Sequence, residues 1–391
     1  MPKTFVLAPD SFKESMTAEQ ACQAMRRGIQ NVCPDAVCIS VPMADGGEGT
    51  VDALIAAQGG QKVDCEVSGP LAEYKIKTYF SLVHQGKTAV IEMAKANGIH
   101  LLDKSQRNPL FTSTLGTGEM IKTALDLGVS KIMIGLGGSV TNDGGAGMAQ
   151  ALGVKFLDAA GCDVAVGGGQ LDQIQKIDLS GLDARLTQVE ILIASDVNNP
   201  LCGANGASYI FGPQKGATPE MVRLLDQNLA HFADVVEAEL NVSKQNIVGA
   251  GAAGGLGFGL MAFARASIQS GVELVIEETH LAEKIAQADY VLTGEGKIDF
   301  QTKFGKTPFG VAQVAKRLNK PVIAFAGVVG EGIEELYDLG FSQIIGINPP
   351  NTDLEDAMKN AERHLETMTI KIALEIMNNL DTASFDVQKT E

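Results

Sequence analysis

Six acidic residues carry the most chemical information in this 391-residue chain. Asp10, Asp45, Asp143, Asp196, Glu295 and Asp299 each follow an apolar run and sit among small residues or glycines. A single loop aspartate is usually a turn former or a cap. Six in equivalent positions imply more, because strand ends in α/β proteins converge in space. Clustered carboxylates suit phosphoryl transfer: some hold Mg²⁺ against a triphosphate, and one accepts the proton of an attacking hydroxyl. That chemistry also needs cations. Lys13, Lys215 and Lys306 lie in loops of the same kind, although lone lysines are normally solvated surface. It needs an anion cradle as well. Residues 132–149 read IMIGLGGSVTNDGGAGMA, an apolar run followed by glycines and then a helix-like segment starting near Asp143. Glycines let backbone N–H groups approach a ligand, and a helix N-terminus favours anions. Gly137, Gly138, Ser139, Asn142 and Asp143 are therefore candidate nucleotide-phosphate contacts. The plainer alternative is a tight strand-to-helix turn in which glycine serves only geometry.

These loops must be held by a sheet. Thr4 to Ala8 reads as a strand, followed by a helix with Thr17 as N-cap and Gln20 three residues later. Val37 to Met43 reads as a second strand, and a helix through Leu54 follows it. This βαβα rhythm implies parallel strands, with ligands at their C-terminal ends. From Val63 to Met93 three strands follow in succession, the last two joined by a hairpin turn at His84–Lys87. Glu190 to Ala194 is a further strand, and a helix capped by Thr218 with Pro219 at its first position runs to Leu240. Strict alternation resumes with strands at Tyr290–Thr293, Val322–Ala326 and Ile344–Ile347. The two chain ends, residues 1–70 and 285–391, thus predict one parallel-sheet domain. Residues 71–284 predict an inserted α/β domain, with a cleft between the two.

Composition narrows the function. There are 47 Asp and Glu against 31 Lys and Arg, a formal net charge of −16. That argues against nucleic acid and an anionic membrane as main partners, since both need a basic face, but an anionic small substrate needs only a local positive pocket. Six cysteines without a CxxC pair predict reduced thiols, and the N-terminal apolar run is too short for a signal peptide. A cytoplasmic monomer or homodimer is expected. Gly305-Lys306-Thr307 resembles the end of a P-loop, but the position needing the first glycine holds Phe300. Residues 249–254 match GxGxxG, yet only Ile247 and Val248 precede them, so close packing of a glycine–alanine helix start is the preferred reading over a nicotinamide site. No GxSxG elbow occurs, and the five histidines lie outside the glycine–acid loops. His231 and His364 fall on predicted helices and read as ordinary packing or surface residues.

Seven motifs in order, APDSFKES (8–15), ADGGEGT (44–50), GLGGSVTNDGGAGM (135–148), DVNNPLCG (196–203), FGPQKGA (211–217), GAAGGLG (251–257) and TGEGKIDFQT (293–302), resemble the type 1 bacterial glycerate kinases. The resemblance spans almost the whole chain. It implies two α/β domains, one of them Rossmann-like and built from both chain ends. It also implies ATP-dependent phosphorylation of D-glycerate, with 2-phosphoglycerate and ADP as products. Residue roles follow from the chemistry rather than from the resemblance. Asp45 or Asp196 would accept the hydroxyl proton, and Lys13 would assist. Asp10, Ser11, Lys215, Gly46 and Gly47 would contact the substrate, and Asp196, Glu295 or Asp299 would hold Mg²⁺. A nicotinamide-dependent oxidoreductase and a non-catalytic sugar-acid sensor are the rival readings. A coupled ADP-release assay with and without glycerate separates all three.

Overall fold

The computed structural model describes residues 2–12, 15–45 and 49–378. They form two compact units: residues up to Asp45 with Asp52–Gln58 and Val272 onward, and residues 49–51 with Gly59–Gly271.

The first unit holds a five-stranded sheet in the order Gln343–Gly346, Val322–Val329, Tyr290–Ile298, Thr4–Leu7 and Val37–Ser40. Every pairing is parallel, with Phe5 opposite Tyr290 and Leu7 opposite both Leu292 and Ser40. Side chains alternate along a strand. Phe5 and Leu7 join a core with Met25, Ile29, Leu365 and Ile372, whereas Val6, equally buried, points to the opposite face. Both faces are therefore covered, as a parallel sheet requires. The helix Ala18–Val32 starts at the expected capping box: the Thr17 side chain accepts from the Gln20 N–H, and the Gln20 side chain accepts from the Thr17 N–H. It packs tightly on Ala361–Asn378 at Gly28, where a Cβ would come within 2.7 Å of Thr369.

The second unit holds a six-stranded sheet in the order Ser267–Gln269, Glu190–Ala194, Lys131–Gly135, Thr88–Glu92, Lys75–Val83 and Gln61–Ser68. The first three pairings are parallel and the last two antiparallel. Its core joins the central strands to the helix Pro219–Leu240 and to residues 252–266. The glycine-rich residues 159–183 contribute one strand of a small antiparallel pair, Lys155–Leu157 with Lys176–Asp178. Among the described residues no helix is long and apolar enough to cross a membrane.

Candidate active site

In the first unit, all five parallel strands deliver residues to one pocket of about 480 Å³ at their C-terminal ends. Asp10, Ser11, Asp45, Glu295 and Lys306 line its polar part. Asp10 follows Thr4–Leu7 and is 7% exposed. Its Oδ1 accepts the Ser11 N–H at 2.6 Å, and its Oδ2 accepts the Thr307 hydroxyl at 2.5 Å. Asp45 arrives because the chain beyond Val37–Ser40 keeps tracking its neighbour. The Val41 and Met43 N–H groups donate to the Leu7 and Pro9 carbonyls at 2.7 and 2.9 Å. Asp45 itself is partly exposed. Lys13, Gly46 and Gly47 lie outside the described residues.

Glu295 sits on a strand rather than in the predicted loop. The strand runs on to Ile298 because Glu295 and Lys297 pair with Ala326 and Val328. A glycine precedes Glu295 because a Cβ at 294 would lie 2.5 Å from the Phe325 carbonyl oxygen. Glu295 Oε1 accepts from Thr302 Oγ1 at 3.1 Å and from Lys306 Nζ at 3.3 Å. Burial pushes the Glu295 carboxyl up to about 7; Lys306 opposes this and the neighbouring Asp10 charge adds to it. Asp299 is occupied differently. Its Oδ1 caps the turn 300–304 through the Gln301 N–H at 2.9 Å, and Lys297 Nζ stands 2.9 Å from its Oδ2. The Lys297 contact holds it below the usual carboxylate range.

In the second unit, the strand Lys131–Gly135 runs into the glycine loop. Gly137 and Gly138 are exposed, whereas residues 139–145 are buried. Asp143 is fully buried beneath the loop. Its Oδ2 accepts the Thr114 N–H and hydroxyl at 2.8 and 2.9 Å and the Gly147 N–H at 3.3 Å; its Oδ1 accepts the Gly145 N–H at 3.2 Å. Burial raises its pKa above the usual carboxylate value, against these bonds. The helix starts at Ala146, three residues later than predicted, because Gly144 and Gly145 turn the chain at φ of 62° and 79°. Asn142 is buried and donates to Ser208 Oγ at 2.8 Å. Lys215, 1% exposed, donates to Ser139 Oγ at 2.8 Å and to the Thr141 carbonyl at 2.7 Å. It pins the loop from within.

Burial pulls the Lys215 pKa from 10.5 down to about 7, with Asp143 opposing. The unfolded chain therefore holds one more proton than the folded chain between those values. Folding stability from this group is lowest below pH 7 and rises toward pH 10.5, by up to about 1.4 kcal/mol per pH unit. Lys215→Met should flatten that rise in urea unfolding followed from pH 7 to 10. An unchanged slope would mean that the buried amine does not titrate there.

The glycine–alanine segment explains the loop's shape. No strand precedes it, and Ala253, Gly254 and Gly255 adopt φ of 53°, 70° and 89°. A Cβ on Gly254 would lie 2.0 Å from the Thr141 carbonyl oxygen, and one on Gly259 2.6 Å from that of Gly144. The Gly144 N–H donates to the Gly254 carbonyl at 3.0 Å. These glycines let one backbone lie against another, the packing role expected of them. Asp196 lies two residues beyond the strand Glu190–Ala194 in this unit, and its Oδ1 accepts the Gly271 N–H at 3.3 Å. Thr114 and Ser208 carry no signal in the sequence, and Thr307 shows only as the end of an imperfect P-loop, since their partners lie dozens to hundreds of residues away.

Among the described residues no group of three His, Cys, Asp or Glu side chains is placed to cage a metal. Mg²⁺ does not need such a cage: one or two carboxylates, phosphate oxygens and water suffice. The neighbouring carboxyls of Asp10 and Glu295 are a donor set of that kind.

Comparison with known proteins identifies the family. The glycerate kinase family profile matches residues 5–377. A glycerate kinase from Haemophilus influenzae is 50% identical over 94% of this chain and 97% of its own. A glycerate 2-kinase from Escherichia coli is 48% identical over 91% and 93%. A crystal structure from Salmonella typhimurium LT2, described as a glycerate kinase 2, superposes with a TM-score of 0.88 at 44% identity, covering 97% of this chain and all of that one. With a kinase-like acidic pocket and likeness over nearly its whole length, the chain is an enzyme that belongs to the glycerate kinase family.

Proposed function

We propose that the enzyme transfers the γ-phosphoryl group of ATP, bound with Mg²⁺, to D-glycerate, giving 2-phosphoglycerate and ADP. The pocket of the first unit carries the nucleotide reading. Its 480 Å³ have a charged half and an apolar half, the latter formed by Val328, Ile347, Leu354 and Met358. Glycerate would leave most of that space empty, whereas pockets of roughly 300–1,000 Å³ take larger ligands. The name of the E. coli relative supports transfer to the 2-hydroxyl.

Asp10 and Glu295 would hold Mg²⁺, which neutralises charge on the phosphates. Lys306 would meet phosphate oxygens, Ser11 would contact substrate, and Asp45 would accept the hydroxyl proton. Lys13, Gly46 and Gly47 keep the substrate-side roles read from the sequence, and Asp196 is the alternative base. In the second unit the exposed backbone of Gly137 and Gly138 would face an anion. Ser139, Asn142, Asp143 and Lys215 hold that backbone in shape. Free thiols suit a cytoplasmic enzyme, which we take to be a monomer or homodimer.

The test is ADP release with and without D-glycerate, followed by phosphorus NMR of the product. ADP formation should depend on glycerate, and the product phosphorus should couple to the single C2 proton. Coupling to the C3 proton pair would move the phosphoryl group to the other hydroxyl. Glycerate-independent ADP formation, or none at all, would overturn the reading.

A further inference from the structure

We infer that the apolar end of the first unit's pocket is a nucleobase subsite, and that Asn348 selects adenine there. This rests on the nucleotide reading above. Asn348 lies two residues beyond the strand Gln343–Gly346 and lines the pocket. Its Nδ2 donates to the Gly327 carbonyl at 2.8 Å, and its Oδ1 stands 3.0 Å from His364 Nδ1. A carbonyl oxygen can only accept, so the amide orientation is fixed. Oδ1 is then the acceptor, and His364 must carry its proton on Nδ1. His364 is 6% exposed on the helix Ala361–Asn378, so it braces the amide from behind.

Two capacities of that amide remain: the second Nδ2 hydrogen and the second Oδ1 lone pair. One donor beside one acceptor matches the N6 and N7 edge of adenine, the pairing an asparagine amide makes bidentately. Guanine offers two acceptors, O6 and N7, and one of them would meet the amide oxygen. The walls suit a flat ring. Met358, Ile347 and Ala361 line the same pocket as the amide, while Leu354 is 72% and Val328 51% exposed. Large apolar side chains left open beside a polar pocket mark a surface that a ligand covers.

Phosphorylation of D-glycerate is measured with MgATP and with MgGTP as donors. The parent enzyme should favour ATP in kcat/KM by roughly 10- to 100-fold, the discrimination of one bidentate pair. Asn348→Leu should lower that ratio about 10-fold through the KM for ATP, with kcat little changed. His364→Phe should do the same, because the amide loses its brace, and His364→Gln, which keeps a donor, should restore part of the preference. A variant that merely loosened the fold would weaken both donors alike. If Asn348→Leu does not fold, Asn348→Ala is read in the same way. An active variant with the parental ATP:GTP ratio overturns the subsite alone. A parent enzyme that uses neither nucleotide overturns the nucleotide reading, and the subsite with it.

Discussion

Replacing Asp45 by Asn is expected to lower kcat on D-glycerate by a factor of roughly 10²–10⁴, the usual loss when a general base is removed. The proposed division of roles gives the base to Asp45 and the metal to Asp10 and Glu295. Both oxygens of Asp10 are already engaged, by the Ser11 N–H and the Thr307 hydroxyl. Glu295 shares one oxygen between Thr302 and Lys306, and burial keeps it partly protonated near neutral pH. Asp45 lines the pocket and is partly exposed, held there by the hydrogen bonds of Val41 and Met43 to Leu7 and Pro9. Its substitution should therefore leave the fold intact, with an unfolding free energy within about 0.5 kcal/mol of the parent. The KM for ATP should change little, since the lost interaction forms as the hydroxyl attacks. Steady-state kinetics beside urea unfolding checks both halves. Near-parental turnover would remove Asp45 from this role, and Asp196→Asn would then be the variant to measure.

How much of this was legible beforehand depended on how local the cause was. The helix Ala18–Val32 is announced by Thr17 and Gln20, and Pro219–Leu240 by Thr218 and its following proline; both caps lie within one turn of what they start. The strand Glu190–Ala194 reads directly from its apolar run. Gly294 to Ile298 read as a loop because glycines and charges interrupt the apolar pattern. They form a strand because Val322–Val329 pairs with them, a fact about residues some thirty positions away. The acids show the same division. That Asp10, Asp45 and Glu295 line one pocket follows from strand ends converging. That Asp143 lies beneath its loop does not, because the groups that take its oxygens include Thr114, 29 positions earlier. His364 read as a packing residue on a helix; its contact with Asn348 crosses a turn and a short helix that no spacing rule anticipates.

Gly254→Ala should be among the most damaging single methyls in the second unit. Two costs combine. A non-glycine residue held at φ of 70° carries strain of about 1–3 kcal/mol, and forcing a methyl into a filled site costs about 1–3 kcal/mol more. The obstacle here is backbone, the Thr141 carbonyl oxygen at 2.0 Å and the Asn142 Cα at 2.6 Å, so no side chain can rotate away. The loop itself must shift, and Thr141 is the residue whose carbonyl Lys215 holds. Gly128→Ala separates the two costs. Its φ is 72°, nearly the same, but nothing lies within 4 Å of the added methyl. Urea unfolding should therefore show a loss of roughly 1 kcal/mol for Gly128→Ala and several times that for Gly254→Ala. The activity of the folded fraction should divide likewise. Gly254→Ala displaces residues 141–144 and with them the exposed backbone of Gly137 and Gly138, whereas Gly128 lies before the strand and leaves that loop where it is. Equal losses from both substitutions would mean that conformational strain alone acts at 254 and that the glycine–alanine segment does not shape the loop.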